Sequence, residues 1–372
     1  MKFLITGDIV ISKPYSFSQI SDEIRDVFSQ SDYNIVNLEA PVTESTSKIL
    51  KTGPHLKSDK KSTIDILKNL NINLCTLANN HVLDYGEQGV LDTLNFCKEN
   101  NIQTVGAGKN KEEAAKVFYL DSDVGKVAII NIAENEWASA TEITAGANGM
   151  DLIDDIKTIQ EAKSQSDFVF VIVHGGHEYY NLPSPRMQKQ YRFYIDNGAD
   201  LVVGHHTHCI SGTEIYKDKH IYYSLGNFLF TKFSKYEGWY NGIVLEVEIS
   251  KAGILKTKEI FVEQSGNYQL SLIEKGELIK ITNRFNEYSN IILDQEELTS
   301  NWNDYIIEKS KLYDIYWSPL SFIKNKWLKK IATKVQFIGN NKKGKTLYLN
   351  LMRCESHCDV SKEVLSKITK EK

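Results

Sequence analysis

The run Gly198-Ala199-Asp200-Leu201-Val202-Val203-Gly204-His205-His206-Thr207-His208 compresses one architectural unit into a few positions. Gly198 closes an amphipathic segment over Pro185 to Asn197, as a glycine past a helix end does. Leu201 to Val203 is a short apolar run of strand type, and a cluster of polar ligand-type side chains follows it immediately. Helix, strand, then chemistry at the strand's end is the grammar of an α/β fold.

Working outward, the same grammar recurs. Lys2 to Thr6, Asn34 to Leu38, Leu74 to Ala78, Val127 to Ile132 and Phe168 to Val173 read as further strands. Ile20, Ile24, Val27 and Phe28 mark one intervening helix, and Ser62 to Leu70 another, opened by a Ser62-x-x-Asp65 capping box. This alternation predicts a largely parallel sheet covered by helices. From about Gly242 the style changes. Gly242 to Ser250 and Leu255 to Val262 alternate around Lys251-Ala252-Gly253, which predicts an antiparallel hairpin and a second sheet or an edge of the first. A boundary is drawn near residue 265, giving a domain over 1–265 and an extension over 266–372.

Composition is that of an ordinary globular chain: 372 residues, 41% hydrophobic, 25% charged, net charge −4. No global field selects nucleic acid as a partner. The five cysteines, an odd number without regular spacing, fit a reducing compartment. The amino-terminal apolar stretch is broken by Asp8 and does not read as a signal peptide, and no apolar run is long enough to span a bilayer. A cytoplasmic protein, at most peripheral at the inner face of the membrane, is the expectation. Between Lys309 and Lys345 ten lysines face a single acid, Asp314. Ile323, Trp327, Ile331 and Val335 recur there every four residues, a stripe that reads first as core and second as a cationic helix lying on an anionic membrane.

Five of the nine histidines (His174, His177, His205, His206, His208) fall within 35 residues. Asp8, Glu39, Asn80 with His81, His174 and the His205 to His208 run each follow a strand, so five polar groups should meet at one sheet edge. Carboxylates, an amide oxygen and imidazoles form a mixed oxygen and nitrogen set suited to Mn, Fe, Zn or Co. Within the last run, strand alternation turns His206 and His208 one way and His205 the other. His177 and Glu178 divide between site and surface roles. Cys209 reads as a buried thiol, Asn227 as a turn residue after Gly226, and Gly106-Ala107-Gly108 as a tight turn without the lysine of a phosphate loop.

Several motifs carry a resemblance: Gly7-Asp8, Asn37-Leu38-Glu39-Ala40-Pro41-Val42-Thr43, Ala78-Asn79-Asn80-His81-Val82-Leu83-Asp84-Tyr85-Gly86, Val105-Gly106-Ala107-Gly108, His174-Gly175-Gly176-His177-Glu178-Tyr179, Gly198 to His208, and Tyr223-Ser224-Leu225-Gly226-Asn227-Phe228. Over roughly residues 1 to 250 the chain resembles the CapA family of capsule (poly-γ-glutamate) synthesis proteins, within the calcineurin-like metallophosphoesterase superfamily. The resemblance implies a two-sheet αββα sandwich with a mixed, partly helical C-terminal extension, and two divalent metal ions, Mn, Fe or Zn. It places Asp8 and His208 on one metal, Asn80, His174 and His206 on the other, and Glu39 between them. His81 is then left for catalysis, with Asp84 orienting it. The implied activity is hydroxide attack on a phosphoester, on a phosphorylated small molecule or envelope-polymer precursor. A catalytically weak capsule-assembly or polymer-binding factor and a metal-dependent amide hydrolase stand as alternatives. Two departures bear on this choice: Val10 stands where the superfamily's first motif has histidine, and Glu39 where it has a bridging aspartate. Gly176 and Thr207 replace a customary tryptophan and proline.

Overall fold

The computed structural model describes residues 1–316 and, beyond them, short pieces at 327–328, 348–349, 351–352 and 365. The chain divides into two compact units, Met1–Thr299 and Ser300–Lys372. The lysine-rich stripe of Ile323, Ile331 and Val335 lies outside the described residues. No helix among those described is long and apolar enough to cross a membrane.

The first unit opens with alternating elements: β1 (Lys2–Val10), α1 (Asp22–Ser29), β2 (Tyr33–Leu38), α2 (Lys60–Asn69), β3 (Ile72–Thr76), α3 (Gly86–Glu99) and β4 (Gln103–Val105). The middle holds β5 (Ala107–Gly108), α4 (Lys111–Ala114), β6 (Phe118–Ser122), β7 (Gly125–Ala133), β8 (Gly146–Ala147), α5 (Leu152–Gln165), β9 (Phe168–His174), α6 (Pro185–Asp196) and β10 (Leu201–His205). Then come β11 (Thr213–Tyr216), β12 (Lys219–Tyr222), β13 (Asn227–Phe230), β14 (Asn241–Ser250), β15 (Gly253–Gln264), β16 (Leu270–Leu272) and α7 (Lys275–Leu293). Helix α8 (Gln295–Tyr316) follows.

Fourteen of these strands make two mixed sheets, and β5 and β8 pair as a small third. The first runs β16-β15-β14-β1-β2-β3-β4, with β13 also on β1, and the second runs β11-β12-β10-β9-β7-β6. β1 to β4 are parallel, as are β7, β9, β10 and β12. The period of two sorts the core. Phe3, Ile5, Ile35 and Leu74 of the first sheet meet Val127, Ile129, Phe170, Ile172, Leu201 and Val203 of the second. The intervening residues face the other way: Leu4, Val36 and Cys75 pack on Phe28, Leu67 and Phe96 of α1, α2 and α3. Ile130, Val171 and Val202 pack on Ile159, Tyr191 and Tyr194 of α5 and α6. Each such side chain contributes about 1.5–3 kcal/mol of transfer free energy. The result is an αββα sandwich. The predicted hairpin is β14 and β15, paired antiparallel through Ser250 and Gly253, and residue 265 falls in the turn between β15 and β16.

The cap of α2 differs from the sequence reading. Asp59 accepts the backbone N–H of Ser62 at 2.8 Å, so Ser62 lies inside the helix, its hydroxyl taken by the backbone N–H of Tyr15. A serine and an aspartate three apart fit equally well one turn into a helix, and the preceding aspartate wins because its carboxylate meets the exposed N–H groups.

Candidate metal centre

β1 changes neighbour partway along. Through Thr6 it pairs with β14, and from Asp8 it pairs with β13, with a break in register beside Asp8. The switch needs a close approach at Gly7, where a Cβ would stand 2.0 Å from the Gly226 carbonyl oxygen. Gly226 itself takes φ +68°, and its carbonyl accepts the Asp8 N–H at 3.1 Å. Asp8 is thereby delivered, fully buried, to the seam between the sheets. Glu39 and Asn80 follow β2 and β3 of the first sheet. His174 ends β9 of the second sheet, and His206 and His208 follow β10.

His206 and His208 do not owe their shared direction to strand alternation. Both lie past β10 in the left-handed region, φ +85° and +56°, in a turn that swings both rings inward. His205, the last strand residue, points elsewhere and donates from Nε2 to the Thr6 carbonyl at 2.8 Å.

Six of the residues singled out in the sequence converge. Glu39, His174 and His206 offer ligand atoms within 4.8 Å of one another, and Asp8, Glu39 and His208 do the same, so Glu39 belongs to both sets. His174 Nε2 lies 3.1 Å from His206 Nδ1, 3.1 Å from Asn80 Oδ1 and 3.8 Å from Glu39 Oε1. His208 Nε2 stands 3.7 Å from Glu39 Oε1, and its Nδ1 3.4 Å from Asp8 Oδ2. His81 and Asp84 form a pair of their own, Nδ1 to Oδ2 at 2.6 Å.

Four residues that sequence reasoning missed, or read otherwise, complete the surroundings. Asn37 donates from Nδ2 to Asp8 Oδ1 at 2.6 Å and lies 3.2 Å from His174 Nδ1. Two positions before Glu39 in the same strand register, it was findable as a same-face neighbour. Asn227 is no mere turn residue: it opens β13 opposite Asp8, accepts from His208 Nδ1 at 3.0 Å, and donates to the Trp239 carbonyl. Glu136 reaches Asn80 and His206 from the loop after β7. Lys51 brings a nearly buried ammonium onto Asp84, 3.2 Å from His81 Nδ1. No periodicity marks either of the last two. Val10 is buried against Ala40, Leu56, Phe230 and Trp239.

The electrostatics describe a site built for cations. Burial drives the Glu39 carboxyl well above its usual range, and the negative charges of Asp8, Glu178 and Asp84 add to this against the pull of His208. Burial acts on Asp8 in the same sense, yet the hydrogen bond with His208 and the nearby histidines more than offset it, holding its carboxyl below the ordinary range. His208 is pushed up to about 9, burial being outweighed by Glu39 and Asp8, while burial and His206 push His174 well down. Both Glu39 oxygens are buried with no hydrogen-bond partner. An orphaned carboxylate costs several kcal/mol unless something cationic meets it. A divalent ion meets that need, and the oxygen and nitrogen donors around Glu39 fit Mn, Fe or Zn.

Residues 2–232 match the model of a family described as bacterial capsule synthesis protein PGA_cap. The chain belongs to this family. Among PGA_cap relatives it is 36% identical over 220 residues to the PGA biosynthesis protein CapA of Bacillus subtilis (strain 168), covering 58% of this chain and 56% of that protein. It is 33% identical over 251 residues to the capsule biosynthesis protein CapA of Bacillus anthracis, covering 63% and 60%. The match thus spans little more than half the length of these curated relatives. A phosphatase from Mycoplasma pneumoniae and a putative 5'-nucleotidase from Staphylococcus aureus superpose with TM-scores of 0.44 and 0.46 at 14% identity. The first covers 72% of this chain and 95% of its own, the second 77% and 58%. All the motifs quoted from the PGA_cap stretch lie in the first unit.

Proposed function

We propose that this PGA_cap chain is a phosphoesterase that uses two divalent metal ions and acts on a phosphorylated precursor of an extracellular polymer. The observation that carries the reading is the doubly shared Glu39 carboxylate, its buried oxygens without a hydrogen bond, between two sets of ligands. Asp8, Glu39 and His208 would hold one ion, and Glu39, Asn80, His174 and His206 the other. A pair of divalent ions supplies an activated water and charge neutralisation for an in-line displacement at phosphorus. The chain's own residues supply the rest. Asn37 holds Asp8 and His174 in register, and Asn227 fixes the His208 ring. Asp84 takes Nδ1 of His81, which leaves Nε2 as the atom to hold or give a proton at the leaving oxygen. The link to polymer synthesis rests on the names of the relatives.

One observation favours a second reading, a capsule-assembly factor of weak or no activity: Val10 puts an apolar contact where a further ligand would stand. A single experiment separates the two. Metal content is measured by elemental analysis, and hydrolysis of an aryl phosphate is followed with and without manganese, with His206→Ala as control and a γ-glutamyl anilide assayed in parallel. About two metals per chain, with manganese-dependent phosphate release lost in the control, is the expected result. Bound metal without turnover selects the assembly role, release of the aniline alone selects amide hydrolysis, and no bound metal overturns the proposal.

A further inference from the structure

Each proposed ligand has an inner atom and an outer one, and the outer ones are not treated alike. His206 Nδ1 and Asn80 Oδ1 both face His174 Nε2 at 3.1 Å. Their other polar atoms turn away from the centre and meet a single side chain. Glu136 Oε1 stands 3.6 Å from His206 Nε2, and Asn80 Nδ2 lies 3.4 and 3.5 Å from the two Glu136 oxygens. Glu136 comes from the loop after β7, a strand that contributes no ligand, and its side chain is 40% exposed.

We propose that Glu136 is a positioning residue that fixes His206 and Asn80 as ligands of the second metal; the proposal rests on the two-metal reading above. A neutral imidazole carries one proton and one lone pair. For His206 to present its lone pair at Nδ1, the proton must sit on Nε2, and a carboxylate facing Nε2 selects that tautomer and makes the ligand nitrogen a better donor. The amide obeys the same logic: with Nδ2 held by Glu136, only Oδ1 is left to turn inward. One carboxylate therefore orients two ligands. At the other position His208 Nδ1 meets the Asn227 amide oxygen at 3.0 Å and Asp8 Oδ2 at 3.4 Å, with no part taken by Glu136. Glu136 thus reaches ligands of one metal position and strengthens that one selectively.

The test is a titration of the purified full chain with cobalt(II), followed by calorimetry and by the visible absorption of the bound ion, for wild type, Glu136→Ala, Glu136→Gln and His206→Ala. Wild type should bind in two steps. In Glu136→Ala one step should weaken about 10- to 100-fold, the scale of losing an outer partner of a ligand, and the other should stay in place. His206→Ala should lose that same step. Glu136→Gln keeps an acceptor without the charge and should fall between wild type and alanine. Turnover of Glu136→Ala should recover at high manganese, because the ligands themselves remain. Circular dichroism melts check that the variants fold. Wild-type isotherms in Glu136→Ala, or equal weakening of both steps, overturn the proposal. A loss in Glu136→Gln as deep as in alanine makes Glu136 a ligand itself and also overturns it. A wild-type chain that binds no cobalt defeats the two-metal reading, and this one with it.

Discussion

In the proposed reaction, His81 and the six proposed ligands would divide the work of the site between residues that hold metal and one that handles a proton. Its ring is buried, paired with Asp84 at 2.6 Å and crowded by the Lys51 ammonium; burial and that ammonium push it below its usual range against the opposing pull of Asp84. It is a member of neither three-residue ligand group. His81→Ala is therefore expected to leave metal content unchanged and to lower kcat by about 10²- to 10⁴-fold, the usual scale for losing a general acid or base. Unchanged turnover would remove His81 from the reaction. The convergence of Asp8, Glu39, Asn80, His174, His206 and His208 was legible because each lies near or just past the carboxyl end of a strand and together they form a mixed oxygen and nitrogen donor set. Glu136 and Lys51 were not, because each is a common surface residue type on a loop and acts only through what the fold brings to it. Asn227 was misread because Gly226 does take the positive φ that a turn needs, and the strand starting at the next residue is too short to show a pattern.

Elements were legible where the apolar period was long. The six strands expected from the sequence and the helices at Asp22–Ser29, Lys60–Asn69 and Pro185–Asp196 all stand close to their expected places. What the period could not show is pairing between elements, and α5 and α6 illustrate it. Asp155 of α5 is buried against α6 and accepts the Tyr194 hydroxyl at 2.8 Å. Burial pushes its carboxyl up to about 7, with Asp151 and Asp154 adding to the effect. The unfolded chain releases this proton near 3.8, before the folded chain does. Stability from this residue is thus greatest below about pH 4, falls as the pH climbs towards 7, and then levels. Asp155→Asn removes the charge and can still accept from Tyr194. Denaturant unfolding should show it more stable than wild type at pH 7.5, by at most about 4 kcal/mol, and nearly equal at pH 4. An equal difference at both values would refute the assignment.

At the scale of the molecule, the alternation of strands and helices predicted a largely parallel covered sheet and the later hairpin a second sheet or an edge of the first; the hairpin extends the first of two large sheets. Strands buried on both faces read as continuous apolar runs whether helices cover both sides or a second sheet covers one. Only the motif resemblance pointed to the sandwich. The centre adds a stability argument at this scale. A ligand that binds only the folded chain stabilises it by RT ln(1 + [L]/Kd), about 2.7 kcal/mol per site at a hundredfold excess over Kd. Manganese should therefore raise Tm by several degrees in a thermal melt, and a chelator should reverse the gain. A melt that ignores manganese would mean that no ion binds at these residues.

The proposed ligands come from both sheets: Asp8, Glu39 and Asn80 from one, His174, His206 and His208 from the other. Two layers that otherwise meet largely through non-directional apolar contacts, with a few hydrogen bonds such as that from His205 to the Thr6 carbonyl, can shear by small steps, and a rigid cross-tie at one end of the seam would stop that movement. Amide hydrogen exchange should record it. With manganese present, exchange should slow in β1 and β2 and in β9 and β10 together, although no hydrogen bond of any ladder has changed, and the far ends of the same strands should respond least.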